Sequence, residues 1–232
     1  EVYFGNRALM GELGLDTSTY EENIRKLESE GKTVMILAVG RKISGAGAVA
    51  DILKQEAIAA VRALTENKIE VWMLTGDNDR TARAIAAQVG ISKVMSEVLP
   101  DEKSAKVREL QDQGKIVAMI GDGINDAPAL TQANIGIAMG EGTDIAMESA
   151  NITLMRGDLT LIPEVIKISR RTMRIIKQNL FWAFFYNIAF IPVAAGVLYP
   201  LWGVLLNPIF AAVAMAFSSI SVVLNSLRLK KA

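Results

Sequence analysis

Residues Ile116–Leu130 read IVAMIGDGINDAPAL, and the fold follows from how that stretch breaks. Ile116 to Met119 is a short apolar run with a β-branched start, which predicts a buried strand. Gly121 and Gly123 then turn the chain into a tight loop. Asp122 and Asp126 stand four residues apart in it, with Asn125 between them. Pro128 suits the first turn of a following helix, and Asp126 can cap it. Two carboxylates and an amide are thereby expected at the carboxyl end of a strand, where open α/β sheets bind ligands. Close carboxylates in a Gly-rich turn suit a hard cation such as Mg2+ shared with phosphate. Taken alone, the loop reads equally as an acidic surface turn.

The surrounding composition narrows the class. The chain has 232 residues with 25 basic and 25 acidic side chains, so charge offers no argument for nucleic acid. Cys and His are absent, which excludes disulfides, zinc fingers, Cys nucleophiles and His general bases within this chain. Hydrophobic residues make up 51%, high for a purely soluble chain. The excess is concentrated: no charged residue falls between Lys177 and Arg228. The start, Glu1-Val2-Tyr3-Phe4, has neither the basic region nor the apolar run of a signal peptide and no initiator Met, as expected of the middle of something longer.

Upstream of the loop, Val2–Phe4 and Thr33–Val39 are expected strands, separated by a polar helix around Tyr20–Glu30. This piece is too short to bury a core alone, and Gly5-Asn6 reads as a turn. From Val49 to about Met155, helices and strands alternate. Helices are expected at Gln55–Asn67, Arg80–Val89, from Pro100 through Lys103 onward, and at Thr143–Ser149. Strands are expected at Glu70–Leu74, Val94–Leu99, Ile135–Met139 and Ile152–Met155. That alternation predicts a parallel sheet covered by helices. The strand ending at Leu74 runs into Thr75-Gly76-Asp77-Asn78, a second Gly-Asp loop. A Thr hydroxyl, close backbone approach at glycine, the Lys103 ammonium and an Asp-held metal together suit phosphoryl transfer. Each also has a plainer reading, as a turn with a helix cap or as a solvated lysine.

Arg170, Arg171, Arg174 and Lys177 form a basic approach to two apolar stretches, 179–198 and 207–227. Each is long enough for a transmembrane helix, which needs roughly 20 residues. Basic residues flank both outer ends, the second with Arg228, Lys230 and Lys231, so both termini are expected on the cytoplasmic side. Asn179, Tyr186, Asn187, Ser218, Ser219 and Asn225 are polar groups that lipid would penalise, and such groups face a bundle interior or a pathway. Pro192 interrupts its helix. The Met215 thioether is a ligand type for soft ions such as Cu(I), or simply packing.

MLTGDN at Met73–Asn78, VLPDEK at Val98–Lys103 and GDGINDAPAL at Gly121–Leu130 together resemble the C-terminal portion of a P-type cation-transporting ATPase. In the membrane part, Asn179, Tyr186-Asn187, Pro192 and Met215-Ala216-Phe217-Ser218-Ser219 are similar to the helix motifs of the copper(I)-exporting branch. The resemblance implies a haloacid-dehalogenase-like α/β phosphorylation domain over 48–160, preceded at 1–47 by the end of a nucleotide-binding domain. A basic linker helix over 161–178 and two transmembrane helices would follow.

It also implies roles. Thr75, Gly76, Lys103 and Asn125 would contact phosphate, with Asp77 supporting its loop. Asp122 and Asp126 would hold Mg2+, and Gly5-Asn6 would contact the nucleotide of ATP. Tyr186, Asn187, Met215 and Ser219 would line the Cu+ path. The implied partners are the rest of the same pump (actuator domain, nucleotide-binding domain and upstream helices), the lipid bilayer and a copper chaperone. The family's DKTGT nucleophile motif, Cys-Pro-Cys, TGE loop and His-Pro pair are missing here, all belonging upstream of residue 1 in the family. Two alternatives remain: a pump for another ion (silver, zinc or potassium), or a non-catalytic membrane-anchored regulatory fragment.

Overall fold

The computed structural model describes residues 1–50, 53–140, 144–197, 199–203 and 208–231, with side chains at 194, 201–202, 208–215 and 231 left out. The chain divides into two units, Glu1–Leu161 and Ile162–Ala232.

The first unit opens with an antiparallel sheet. Strand β1 (Val2–Gly5) pairs with β2 (Thr33–Val39), which pairs with β3 (Lys42–Val49). Side chains of β2 alternate between core and surface, as a half-buried strand requires. Val34, Ile36 and Ala38 from β2 meet Met10 of helix α1 (Arg7–Glu12) and Ile24 of α2 (Glu21–Ser29) to form a small core. The strand β3 was not expected from sequence, and neither was α1.

The rest of the unit alternates as expected. Helix α3 (Gln55–Glu66) leads to β4 (Trp72–Leu74), α4 (Asp79–Val89) and β5 (Lys93–Met95). Then come α5 (Lys103–Asp112), β6 (Ala118–Gly121), α6 (Ala127–Gln132), β7 (Ile135–Met139), α7 (Asp144–Ser149) and β8 (Ile152–Leu154). Every pairing among β4 to β8 is parallel, but they form two pieces, β4-β5 and β6-β7-β8. Among the described residues no ladder joins β4 to β6, and each has one unpaired edge. This corrects the buried strand expected from Ile116. The ladder starts at Ala118, Ile116 is 85% exposed, and no β6 residue is fully buried. An edge strand with one neighbour has little to cover it.

In the second unit, α8 (Leu161–Ala194) runs unbroken through the basic stretch and into the apolar one, with Pro192 inside it. Short α9 (Tyr199–Trp202) and then α10 (Pro208–Leu227) follow. The two expected membrane spans are not supported in that form. Among the described residues no helix is long and apolar enough to cross a membrane. The expected first span is only the end of α8. It stops at Ala194, Gly196 turns the chain at φ +83°, and Asn179, Tyr186 and Asn187 dilute its apolar face. In the second, residues 204–207 and the side chains of 208–215 lie outside the described residues. The expected 207–227 span is therefore only partly described, along α10.

Candidate phosphate site and helix pair

Two loops at carboxyl ends of parallel strands carry the predicted chemistry. After β4, the Thr75 hydroxyl donates to Asp77 Oδ2 at 2.9 Å and accepts from the Asp77 amide at 3.1 Å, closing the turn on itself. Asn78 caps α4, its Oδ1 accepting from the Thr81 amide at 3.0 Å. Gly76 is exposed at the tip. After β6, the Asp126 carboxylate does not cap α6, contrary to the sequence reading. It turns back instead. Its Oδ2 accepts from the Gly123 amide at 3.3 Å, and its Oδ1 accepts from Lys103 Nζ at 2.6 Å. Asp126 is buried, whereas Asp122 and Asn125 stay exposed.

The segment after β5 ties the loops together. The Thr75 amide donates to Met95 O, the Val98 amide to Thr75 O at 3.1 Å, and the Glu97 amide to Asp77 O at 2.8 Å. A short 3-10 turn at Pro100–Glu102 then delivers Lys103 to Asp126. Glu97 takes φ +56°, a left-handed conformation that a side chain resists. Sequence reasoning missed Glu97, because a backbone contact leaves no mark in the residue type. Asp79, at the start of α4, has its carboxyl held below the usual range by hydrogen bonds from Arg83 and Ser96.

Asp122 has no hydrogen bond or ion pair among the described residues, so its oxygens are available to a hard cation. Asp126 shares its charge with Lys103. No group of three or more acidic ligands occurs among the described residues. Two carboxylates still fit Mg2+, which keeps several waters and takes its other ligands from phosphate.

Gly5 and Asn6 have local roles. A Cβ on Gly5 would lie 2.3 Å from Leu9 Cδ2, and the Asn6 side chain caps α1 through the Leu9 amide at 3.0 Å. The next residue, Arg7, grips buried Glu28, which also pairs with Arg80 on α4.

In the second unit, Tyr186 packs in an aromatic run with Trp182 and Phe185. Asn187 Nδ2 bonds back to Ala183 O at 2.9 Å. The Met215 side chain lies outside the described residues, and Ser219 is exposed on α10. Asn179 and Asn225 join the helices: Asn225 Nδ2 donates to Asn179 Oδ1 at 2.8 Å, and Asn179 Nδ2 to Ser226 Oγ at 2.9 Å. Polar residues in an apolar pair thus act as interhelical fasteners.

A haloacid dehalogenase-like hydrolase family model matches residues 1–134. The chain is 53% identical over 99% of its length to the probable copper-transporting ATPase PacS of Synechococcus elongatus, covering 31% of that protein. It is 51% identical over 98% of its length to a copper-exporting P-type ATPase of Staphylococcus saprophyticus, covering 28% of it. A zinc-transporting PIB-type ATPase solved in its E2.Pi state aligns with a TM-score of 0.76 at 33% identity, over 98% of this chain and 36% of that one. The chain therefore spans about a third of the length of the curated relatives it matches.

Proposed function

The chain belongs to the haloacid dehalogenase-like hydrolases, and from that premise we propose that it is the phosphoryl-handling and ion-path part of a copper(I)-exporting P-type ATPase. The carrying observation is the Lys103–Asp126 pair, tied through residues 97–103 to the Thr75-Gly76-Asp77 loop. It gives one site a cation, a hydroxyl and carboxylates at strand carboxyl ends.

In the whole pump, the γ-phosphoryl of ATP passes to an Asp outside this chain, and water then hydrolyses that acyl phosphate. Thr75 and Gly76 hold the transferring group, and Asp77 keeps the Thr75 hydroxyl oriented. Lys103 neutralises phosphoryl charge while Asp126 fixes its ammonium, and Asn125 contacts phosphate. Asp122, with Asp126, would hold Mg2+, whose charge would stabilise the transferring oxygens. The unpaired edges of β4 and β6 leave room for the strand that carries the nucleophile. Glu70 before β4 and Lys115 before β6 form an ion pair at 3.0 Å.

Residues 1–47 are read as the end of the nucleotide-binding domain, with Gly5-Asn6 toward ATP, and 48–160 as the phosphorylation domain. Beyond the 161–178 linker, the stretches 179–198 and 207–227, which include the end of α8 and all of α10, are read as the two membrane segments, with both chain termini cytoplasmic. Their broad exposed apolar surface, including Phe181, Phe184, Ile188, Ile191 and Phe217, supports burial against lipid or further helices. Tyr186, Asn187, Met215 and Ser219 would line the Cu(I) path, neutral oxygens and a thioether suiting a soft monovalent ion. A copper chaperone would deliver the ion.

The test is a phosphorylation gel. The source preparation is incubated with γ-labelled ATP, Mg2+ and Cu(I) and run under acid conditions. Hydroxylamine-sensitive label on a band much larger than this chain, dependent on Cu(I), is expected. Label on a band of this chain's own size would overturn the placement of the nucleophile. The zinc-transporting structural neighbour motivates a second reading, which label driven by zinc but not copper would favour.

A further inference from the structure

Residues 162–232 hold eight basic side chains against one acidic, Glu164. Arg170, Arg174 and Lys177 recur at helical spacing on α8, and Phe181 and Trp182 continue the same face. With Met173 they line an open groove of about 590 Å3. Arg174 and Lys177 are exposed and pair with no carboxylate among the described residues. The end of α10 arrives beside them: Arg171 Nη2 donates to the Arg228 carbonyl at 2.7 Å, and Asn225 reaches Gln178. Arg228 and Lys230 thus add to one basic end of the helix pair.

We infer that this groove binds the headgroup of an anionic phospholipid, its phosphate on Arg174 and Lys177 and its glycerol and upper acyl carbons on Phe181 and Trp182. The inference rests on the membrane reading of α8 and α10. Charge complementarity selects an anion, and the aromatic continuation selects a lipid. A soluble anion would leave Phe181 60% and Trp182 45% exposed. Arg174 and Phe181 are separated by roughly 10 Å along the helix axis. That step is more than enough to cross the polar layer of about 5–7 Å on each side of a bilayer, so a phosphate at Arg174 leaves Phe181 at the hydrocarbon.

The full chain is first floated with phosphatidylcholine vesicles, then reconstituted in nanodiscs of phosphatidylcholine mixed with phosphatidylglycerol. Lipid retained after detergent extraction is counted by native mass spectrometry. Flotation and preferential retention of phosphatidylglycerol are expected. Arg174→Gln or Lys177→Gln should each weaken retention about fivefold, whereas Lys167→Gln, outside the groove, should change it less than about twofold. A chain that does not float with vesicles fails the membrane reading, and the headgroup site with it. A chain that floats but shows no preference, or loses it equally in all three variants, carries only diffuse charge, and the site is overturned while the membrane reading stands. Displacement of the lipid by inorganic phosphate alone would also overturn it, making the groove a site for a free anion.

Discussion

Gly121 can have no side chain because Asp126 occupies the space: a Cβ there would sit 2.7 Å from Asp126 Cβ. Gly121→Ala must therefore push Asp126 off Lys103 while leaving the ladder to β7 intact. Misplacing a catalytic group by about 1 Å costs roughly 100-fold in rate, so acid-stable labelling of the whole pump should fall by that order. Normal labelling would show that the ion pair is dispensable. The two aspartates should separate cleanly. Lys103→Ala leaves buried Asp126 with one amide donor and should cost about 2 kcal/mol in urea unfolding. Asp122→Ala, at an exposed residue with no partner among the described residues, should change stability by under about 0.5 kcal/mol yet remove Mg2+-dependent phosphorylation. A large stability loss at Asp122 would mean its carboxylate has a structural partner. Both loops were legible in the sequence, since Gly-Asp after an apolar run marks a strand end. That Asp126 faces Lys103 rather than capping α6 was not. Residues 23 apart leave no periodic signal of which carboxylate turns inward.

At the scale of elements, the amino ends of three strands converge on Glu70. Its carboxylate accepts from Lys93 before β5's apolar residues, from Lys115 at 3.0 Å and from Trp72 Nε1 at 2.7 Å. Lys93 and Lys115 hold its pKa down from the ordinary 4.5 to about 2. A carboxylate whose folded pKa is depressed adds stability above its unfolded pKa and loses it as pH falls through the folded one. The Glu70 contribution should therefore be complete above about pH 5 and vanish between about pH 4.5 and 2. Glu70→Gln should flatten that part of the acid-unfolding curve, and an unchanged curve would show the cluster is solvated in solution. The strand β8 packs backbone to backbone on Gly140, where a Cβ would lie 2.4 Å from Leu154 O. Gly140→Ala should cost about 2 kcal/mol by overpacking, read as a lower urea midpoint. Element types were legible wherever periodicity was strong, as in β2 and α4. The strand β3 was not, because Gly45, Ala46, Gly47 and Ala48 carry none of the β-branched bulk that marks a strand. Nor was the unbroken run of α8, since a change from charged to apolar residues alters what surrounds a helix without ending it.

Across the first unit, one buried carboxylate links the antiparallel sheet to the helix that follows the Thr75 loop. Glu28 on α2 is 3% exposed. Arg7, directly after β1 and Asn6, grips it with two hydrogen bonds at 2.8 and 3.0 Å, and Arg80 on α4 adds a third at 3.3 Å. The Thr81 hydroxyl, one residue on, donates to Lys32 O at 3.1 Å, and Thr33 faces Asp77. Motion of α2 is thereby coupled to the helix that Asn78 starts and to the loop that holds Thr75. None of this could be read in sequence, where residues 7, 28 and 80 are ordinary surface charges. Removing one member of a buried ion network leaves the others uncompensated, at about 3–5 kcal/mol. Glu28→Gln keeps the shape and deletes the charge, so it isolates that term. It should destabilise the unit by about 3 kcal/mol and raise amide hydrogen exchange in α2 and α4 together. Arg80→Ala, at a half-exposed end of the network, should cost about 1 kcal/mol or less. In the double variant the Arg80 loss should largely disappear, because its partner charge is already gone. Fully additive losses would mean that Arg80 and Glu28 do not interact in solution. The antiparallel sheet and the Thr75 loop would then move independently.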